Sequence, residues 1–163
     1  MNIEVKVDTS NLKQKLADFP EALARAQQRA LQDIGQAVAS RATLAFRTPA
    51  MRPSPWAPRK KSYIVVTNKK TGKKTRKPDD HPLLIKSGAL RQSIGWKLEG
   101  NGSVVVGTDK KYAGYHQTGT KHMPARPFMP VDENGNLTPQ MQQKINKIVE
   151  KALAEEMEKT FGS

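Results

Sequence analysis

Few side chains in this 163-residue chain are equipped for chemistry. It has three histidines, His81, His116 and His122, and no cysteine. Without thiolates neither a disulfide framework nor a cysteine metal site can form. A helical zinc site needs histidines spaced as in HxxxH or HExxH. His116 and His122 are instead six apart, with Gly119 between them. General acid–base work needs two titratable groups whose surroundings separate their pKa values. His116, Tyr115, Asp109 and Glu133 could be grouped that way, but their spacing does not favour the set. A basic chain with His and Tyr also admits a metal-independent nuclease, with His116 as its working residue. Ser87, Ser93 and Thr118 lack the strand–elbow–helix context of a nucleophile, and Ser87-Gly88 is not part of a G-x-S-x-G. Gly100 and Gly102 begin a G-x-G-x-x-G, but Val105 stands at its third glycine. The expectation is therefore a non-enzymatic protein with no catalytic residue, no metal and no cofactor.

Charge is the stronger signal. From Arg52 to Lys77 the chain carries ten basic residues and no acid: Arg52, Arg59, Lys60, Lys61, Lys69, Lys70, Lys73, Lys74, Arg76 and Lys77. The formal net charge is +13, so the other residues together carry only +3. Such a segment either contacts nucleic acid or an acidic protein, or is a solvated loop kept apart by self-repulsion. Trp56 and Tyr63 lie among these charges, where aromatics can stack on bases. The alternative is that Trp56 anchors its loop on the body. No helix-turn-helix or RNA-binding signature accompanies the charge.

These residues need elements to position them. Ile3, Val5 and Val7 alternate with polar residues as in a half-buried strand. Asp8-Thr9-Ser10 offers capping oxygens for a helix carrying Leu12 and Leu16, and Pro20 interrupts or restarts it. From Glu21 to Phe46, Leu23, Ala26, Ala30, Ile34, Ala37, Val38 and Ala45 recur at helical steps. At 1.5 Å per residue this is a rod of about 39 Å with an alanine-rich stripe that permits close approach. Thr48-Pro49 ends it, and Arg52 to Pro58 is a proline-punctuated loop. Tyr63 to Thr67 is a β-branched strand. Asn68 to Lys73 forms a hairpin tip, and Lys74 to Lys77 a marginal return strand. The expectation is a basic β-arm over residues 50–80, mobile unless docked, since a lone hairpin is marginally stable.

Beyond the arm, Ser87 can cap a short turn, with Gly88 supplying unusual backbone angles. Ser93 to Leu98 and Ser103 to Gly107 are strands joined by Glu99-Gly100-Asn101-Gly102. Ile94, Trp96 and Leu98 share one face; Val104 and Val106 are assigned to another, with Val105 opposite them. Tyr112 to His116 is a short helix or an irregular strand. Proline keeps Arg126 to Val131 extended, and Glu133 to Asn136 turns the chain. Thr138-Pro139 supplies a cap and first-turn proline for a last helix striped by Met141, Ile145, Ile148, Val149, Ala152, Leu153 and Met157.

The fold class is α+β, arranged as one domain over 1–163. Its small antiparallel sheet packs against the long helix, with a C-terminal helix and the basic arm added. Hydrophobic content of 36% is below the usual 45–50% or so of globular chains, so the core must be modest. No apolar run approaches the ~18 residues of a membrane span. The first residues carry no basic-then-apolar leader, so a cytosolic origin is the default expectation.

The ordered pieces L-L-I-K-S-G-A-L-R-Q-S-I, V-V-V-G-T, Y-A-G-Y-H-Q-T-G-T and R-P-F-M, with P-W-A-P upstream, resemble the Mu-like phage virion morphogenesis family, the tail completion proteins. The resemblance covers about Met51 to Val131 by motif and the flanking helices by layout. The lysine-rich insertion around Asn68 to Lys77 departs from it. What the resemblance implies is a virion protein of the head–tail junction, assembled in the host cytoplasm and acting as a homo-oligomeric ring, a hexamer being favoured. Its neighbours would be tail tube or terminator proteins, head connector proteins and passing DNA, with no membrane. Trp56, Ser87, Gly88, Leu90, Tyr112, His116, Gly119, Arg126, Pro127 and Phe128 become expected turn and docking residues. Phe128 would anchor in a pocket on the body or on a neighbour, and Arg126 would pair with a carboxylate across an interface.

Overall fold

The computed structural model describes residues 2–5, 20–60, 62–100 and 102–161, with backbone alone for 2–5 and 160–161. The expected helix over Leu12 and Leu16, together with Val7, Lys61 and Gly162, lies outside these residues. The order is β1 (Asn2–Val5), α1 (Pro20–Ala45), a 3-10 turn (Pro49–Met51), β2 (Tyr63–Thr67), β3 (Lys74–Pro78), α2 (Ala89–Gln92), β4 (Gly95–Glu99), β5 (Ser103–Gly107), α3 (Ala113–Thr118) and α4 (Pro139–Phe161). The architecture is α+β. A three-stranded antiparallel sheet has the order β1-β5-β4, and β2 and β3 form a separate hairpin.

α1 is the spine. Pro20 occupies its first turn, where a missing N–H costs nothing. Its alanines other than Ala24, with Leu31, Ile34 and Val38, bury on the side that meets β4, β5 and α4. Gly35 marks the closest approach: a Cβ there would lie 2.6 Å from two Trp96 ring carbons and 2.8 Å from a Val104 methyl. Trp96 also donates its indole N–H to Gln36 Oε1 at 3.2 Å. The register pairs Trp96 with Val106 and Leu98 with Val104. Directly opposed residues share a face, so these two sets form one face rather than the two expected. Val105 points to the other side and is also buried. β4 starts at Gly95, two residues later than expected, because the Ser93 hydroxyl is held by Leu90 O and Thr108 Oγ1 in the turn before it.

α4 lies along α1 and buries Met141, Ile145 and Ala152. Asp132 organises the preceding turn, its Oδ1 accepting from Asn134 N (2.9 Å) and Asn136 N (2.8 Å). Thr138 does not cap with its side chain: its hydroxyl is buried without a partner, and its carbonyl accepts Gln142 N instead. Two ion pairs join the helices, Arg25–Glu156 at 3.1 Å and Arg29–Glu155 at 2.9 Å. Glu156 is otherwise buried, and hydrogen bonds from Lys159 and Arg25 hold its carboxyl below the ordinary range.

Two outcomes follow. Gly35→Val should cost about 1–3 kcal/mol in urea unfolding, the range for forcing carbons into a packed core. A carboxyl with a depressed folded pKa adds stability above its unfolded pKa of about 4.3, and that stability is lost as pH falls through the folded value. Melting curves of Glu156→Gln should therefore lie below those of the parent at pH 7 and converge with them toward pH 3.

Candidate interaction surface

The proline loop and the R-P-F segment, 70 residues apart in the chain, are clasped side by side. Trp56 donates its indole N–H to Pro127 O at 2.7 Å. Arg126 donates in return, Nε to Ala57 O at 3.1 Å and Nη2 to Pro58 O at 3.3 Å. Arg52 sits over the Trp56 ring, 3.9 Å from its centroid, with Nε donating to Ala45 O at 2.8 Å. Below the clasp, Phe46 meets Trp56 edge-on (centroids 5.9 Å) and Phe128 at a tilt (5.2 Å). Trp56 and Phe128 are 8% and 1% exposed, so both rings are occupied by this chain's own core. Among the described residues Arg126 meets carbonyls, not a carboxylate.

The H-Q-T-G-T segment shapes the other wall. Gly119 has φ 77°, and a Cβ there would fall 2.8 Å from Ala125 N. This tight fold-back lets Arg126 N reach His116 O at 2.7 Å. Gln117 Oε1 then accepts from both Phe128 N and Met129 N, each at 3.1 Å. Sequence reasoning passed over Gln117. Its only signal was a position facing a proline-bound extended segment that lacks ladder partners. Tyr112 lies edge-on to the His116 ring at 5.9 Å and is exposed. The His116 Nδ1 atom is buried and unpartnered. Burial first, and Arg126 second, lower its pKa.

Ser87, Gly88 and Leu90 sit apart from the clasp, where the chain re-enters the core. Gly88 has φ 72°, Ser87 Oγ accepts Ala89 N at 3.3 Å, and Leu90 is buried. Leu84, at φ 61°, is the one non-glycine with positive φ among the described residues. Packing of Leu83, Leu84 and Ile85 on the core accompanies this conformation.

Between clasp and re-entry stands the hairpin, its strands packed chiefly on each other. Asn68 Oδ1 organises its tip, accepting Lys70 N (2.9 Å) and Thr71 N (3.3 Å). Arg59 closes its base on Asp79, pairing with that carboxylate and donating through Nη2 to His81 O at 2.6 Å. The Asp79 carboxyl is held low, first by the His81 side chain. Nine of the ten charges lie among the described residues, and they divide. Arg52 binds the body and Arg59 closes the base of the arm; Lys60, Lys69, Lys70, Lys73, Lys74, Arg76 and Lys77 are exposed and make no ion pair among the described residues. Arg76 lies 5.4 Å from the Tyr63 ring centroid. Among the described residues no three of His, Asp and Glu gather as a metal site, and no helix is long and apolar enough to cross a membrane.

The lowered pKa of His116 sets a further outcome. The unfolded histidine protonates near pH 6.5 while the folded one resists. Its contribution is unchanged above that pH and becomes progressively unfavourable as pH falls from about 6.5 to the folded value. Chemical denaturation at pH 7.5 and pH 5 should show a smaller loss for His116→Gln than for the parent over the same interval.

Searches among curated proteins and among solved structures found no significant match. A profile of the phage virion morphogenesis family, by contrast, matches residues 7–154. That span takes in α1, the clasp, the hairpin, strands β4 and β5 of the sheet and most of α4. The chain belongs to the phage virion morphogenesis family.

Proposed function

We infer that this protein is a structural virion component that completes the tail or joins it to the head. Copies of it act as a ring at the neck, a hexamer being the favoured size. The body supplies the ring, and the hairpin reaches for a neighbouring tail or connector protein with an acidic surface. The observation that carries this reading is the arm: six cations with no ion pair among the described residues, on a hairpin whose base is closed by Arg59 and Asp79. A neck must let DNA slide, and a lumen lined with such lysines would hold phosphates tightly at moderate salt. The arm therefore faces protein or the outside of the particle rather than the channel.

Nucleic-acid binding through residues 52–77 is the competing reading, and its charge is real. Stacking on bases is weakened as an argument, however, because Trp56 is buried and its indole N–H is spent on Pro127. Particles made without this protein should show filled heads and unjoined tails by electron microscopy, and deletion of residues 68–77 should reproduce the defect. Crosslinks from Lys69–Lys74 to DNA in intact particles, in preference to protein, would overturn the assignment.

A further inference from the structure

The hairpin has two outer edges, and only one is defended. Asp79 N donates to Ser62 O and Asn68 N to Lys73 O, both at 2.9 Å. In an antiparallel ladder hydrogen-bonded and non-hydrogen-bonded pairs alternate. With the register Tyr63↔Pro78 to Thr67↔Lys74, residues 64 and 66 therefore bond to β3, and residues 63, 65 and 67 turn their backbone groups outward. The outward positions of β3 are Lys74, Arg76 and Pro78: two charges and a residue without an N–H, the features that discourage strand pairing. The outward positions of β2 are Tyr63, Val65 and Thr67, uncharged and favourable to a strand. Val65 is 61% and Tyr63 54% exposed.

We propose that β2 is a strand-addition edge, and that an acidic extended segment of a partner protein docks on it as a third strand. The charge on the arm selects that occupant. Lys74 and Arg76 share a face with Tyr63, Val65 and Thr67, and Lys77 shares the other with Ile64 and Val66. A strand lying on β2 presents side chains to both faces, within reach of long cationic side chains folded across it. Backbone bonds supply the pairing, and carboxylates alternating with β-branched residues supply the specificity. A second copy's β2 is disfavoured, because it would bring two lysine-rich arms together. The proposal rests on the acidic-partner reading above and specifies how the arm makes that contact.

The test uses the full chain, isotope-labelled for amide hydrogen exchange by NMR, and the peptide acetyl-(Glu-Val)4-amide. The expected result is at least tenfold slower exchange at Tyr63, Val65 and Thr67, with Ile64 and Val66 little changed because they are already bonded. The effect should vanish with the peptide N-methylated at alternate amides, with (Lys-Val)4, and with Val65→Pro, whose lost N–H serves no bond inside the hairpin. Ile64→Pro, by comparison, should open the hairpin itself. Shifts confined to lysine and arginine signals, with no slowing at 63, 65 and 67, would overturn strand addition while leaving an acidic partner standing. No response to the acidic peptide would overturn both. A short DNA duplex that displaces the peptide at equal charge concentration would overturn the choice of protein as partner.

Discussion

The exchange of hydrogen bonds between Trp56 and Pro127, and between Arg126 and the Ala57–Pro58 carbonyls, is the joint on which the rest of the structure depends. Proline-rich backbone lacks the N–H donors that sustain a ladder, so its carbonyls must find donors elsewhere, and buried carbonyls without donors are costly. Here each of two such segments supplies the donor the other lacks. The aromatic rings of Phe46, Trp56 and Phe128 then fill the space beneath, and offset or edge-on contacts of this kind add to the area they bury. The clasp is what ties the loop leading into the hairpin to the R-P-F segment, while Arg52 ties the same loop to the end of α1.

The long helix works with this joint by permitting close approach. A small-residue stripe centred on Gly35 brings the sheet in on α1, and α4 closes along the same helix. The modest hydrophobic content foreseen from composition is compatible with a well-packed interior for this reason. Small side chains let backbone approach backbone, so fewer large residues are needed to exclude water.

Much of the secondary structure was legible in the sequence, because its causes are local. Helical spacing of apolar residues gave α1 and α4 to within about a residue, and β-branched runs broken by Asn and Gly gave both hairpins. What escaped is what depends on three dimensions. Register decided that Trp96 and Val106 share a face. A buried site left the Thr138 hydroxyl without its expected capping role. The partners of Arg126 are carbonyls brought from 69 and 68 residues away, and no spacing rule announces that. Gln117 acts through backbone donors 11 and 12 residues on, which no spacing rule picks out, and Asp79 joins its near neighbour His81 to Arg59, 20 residues back. Membership of the phage virion morphogenesis family agrees with the order of motifs, whose glycines and prolines shape backbone rather than bear chemistry.

The Arg59–Asp79 closure has a consequence for how the arm can vary. Bringing the ends of a flexible segment together has an entropic cost that rises only logarithmically with its length, roughly 0.6 kcal/mol per doubling. Here the two ends are already held together by contacts outside the segment they enclose. Residues between them can be lengthened, shortened or recharged with little effect on the folding of the body. The lysine-rich segment therefore sits where its length and charge can change without renegotiating the core.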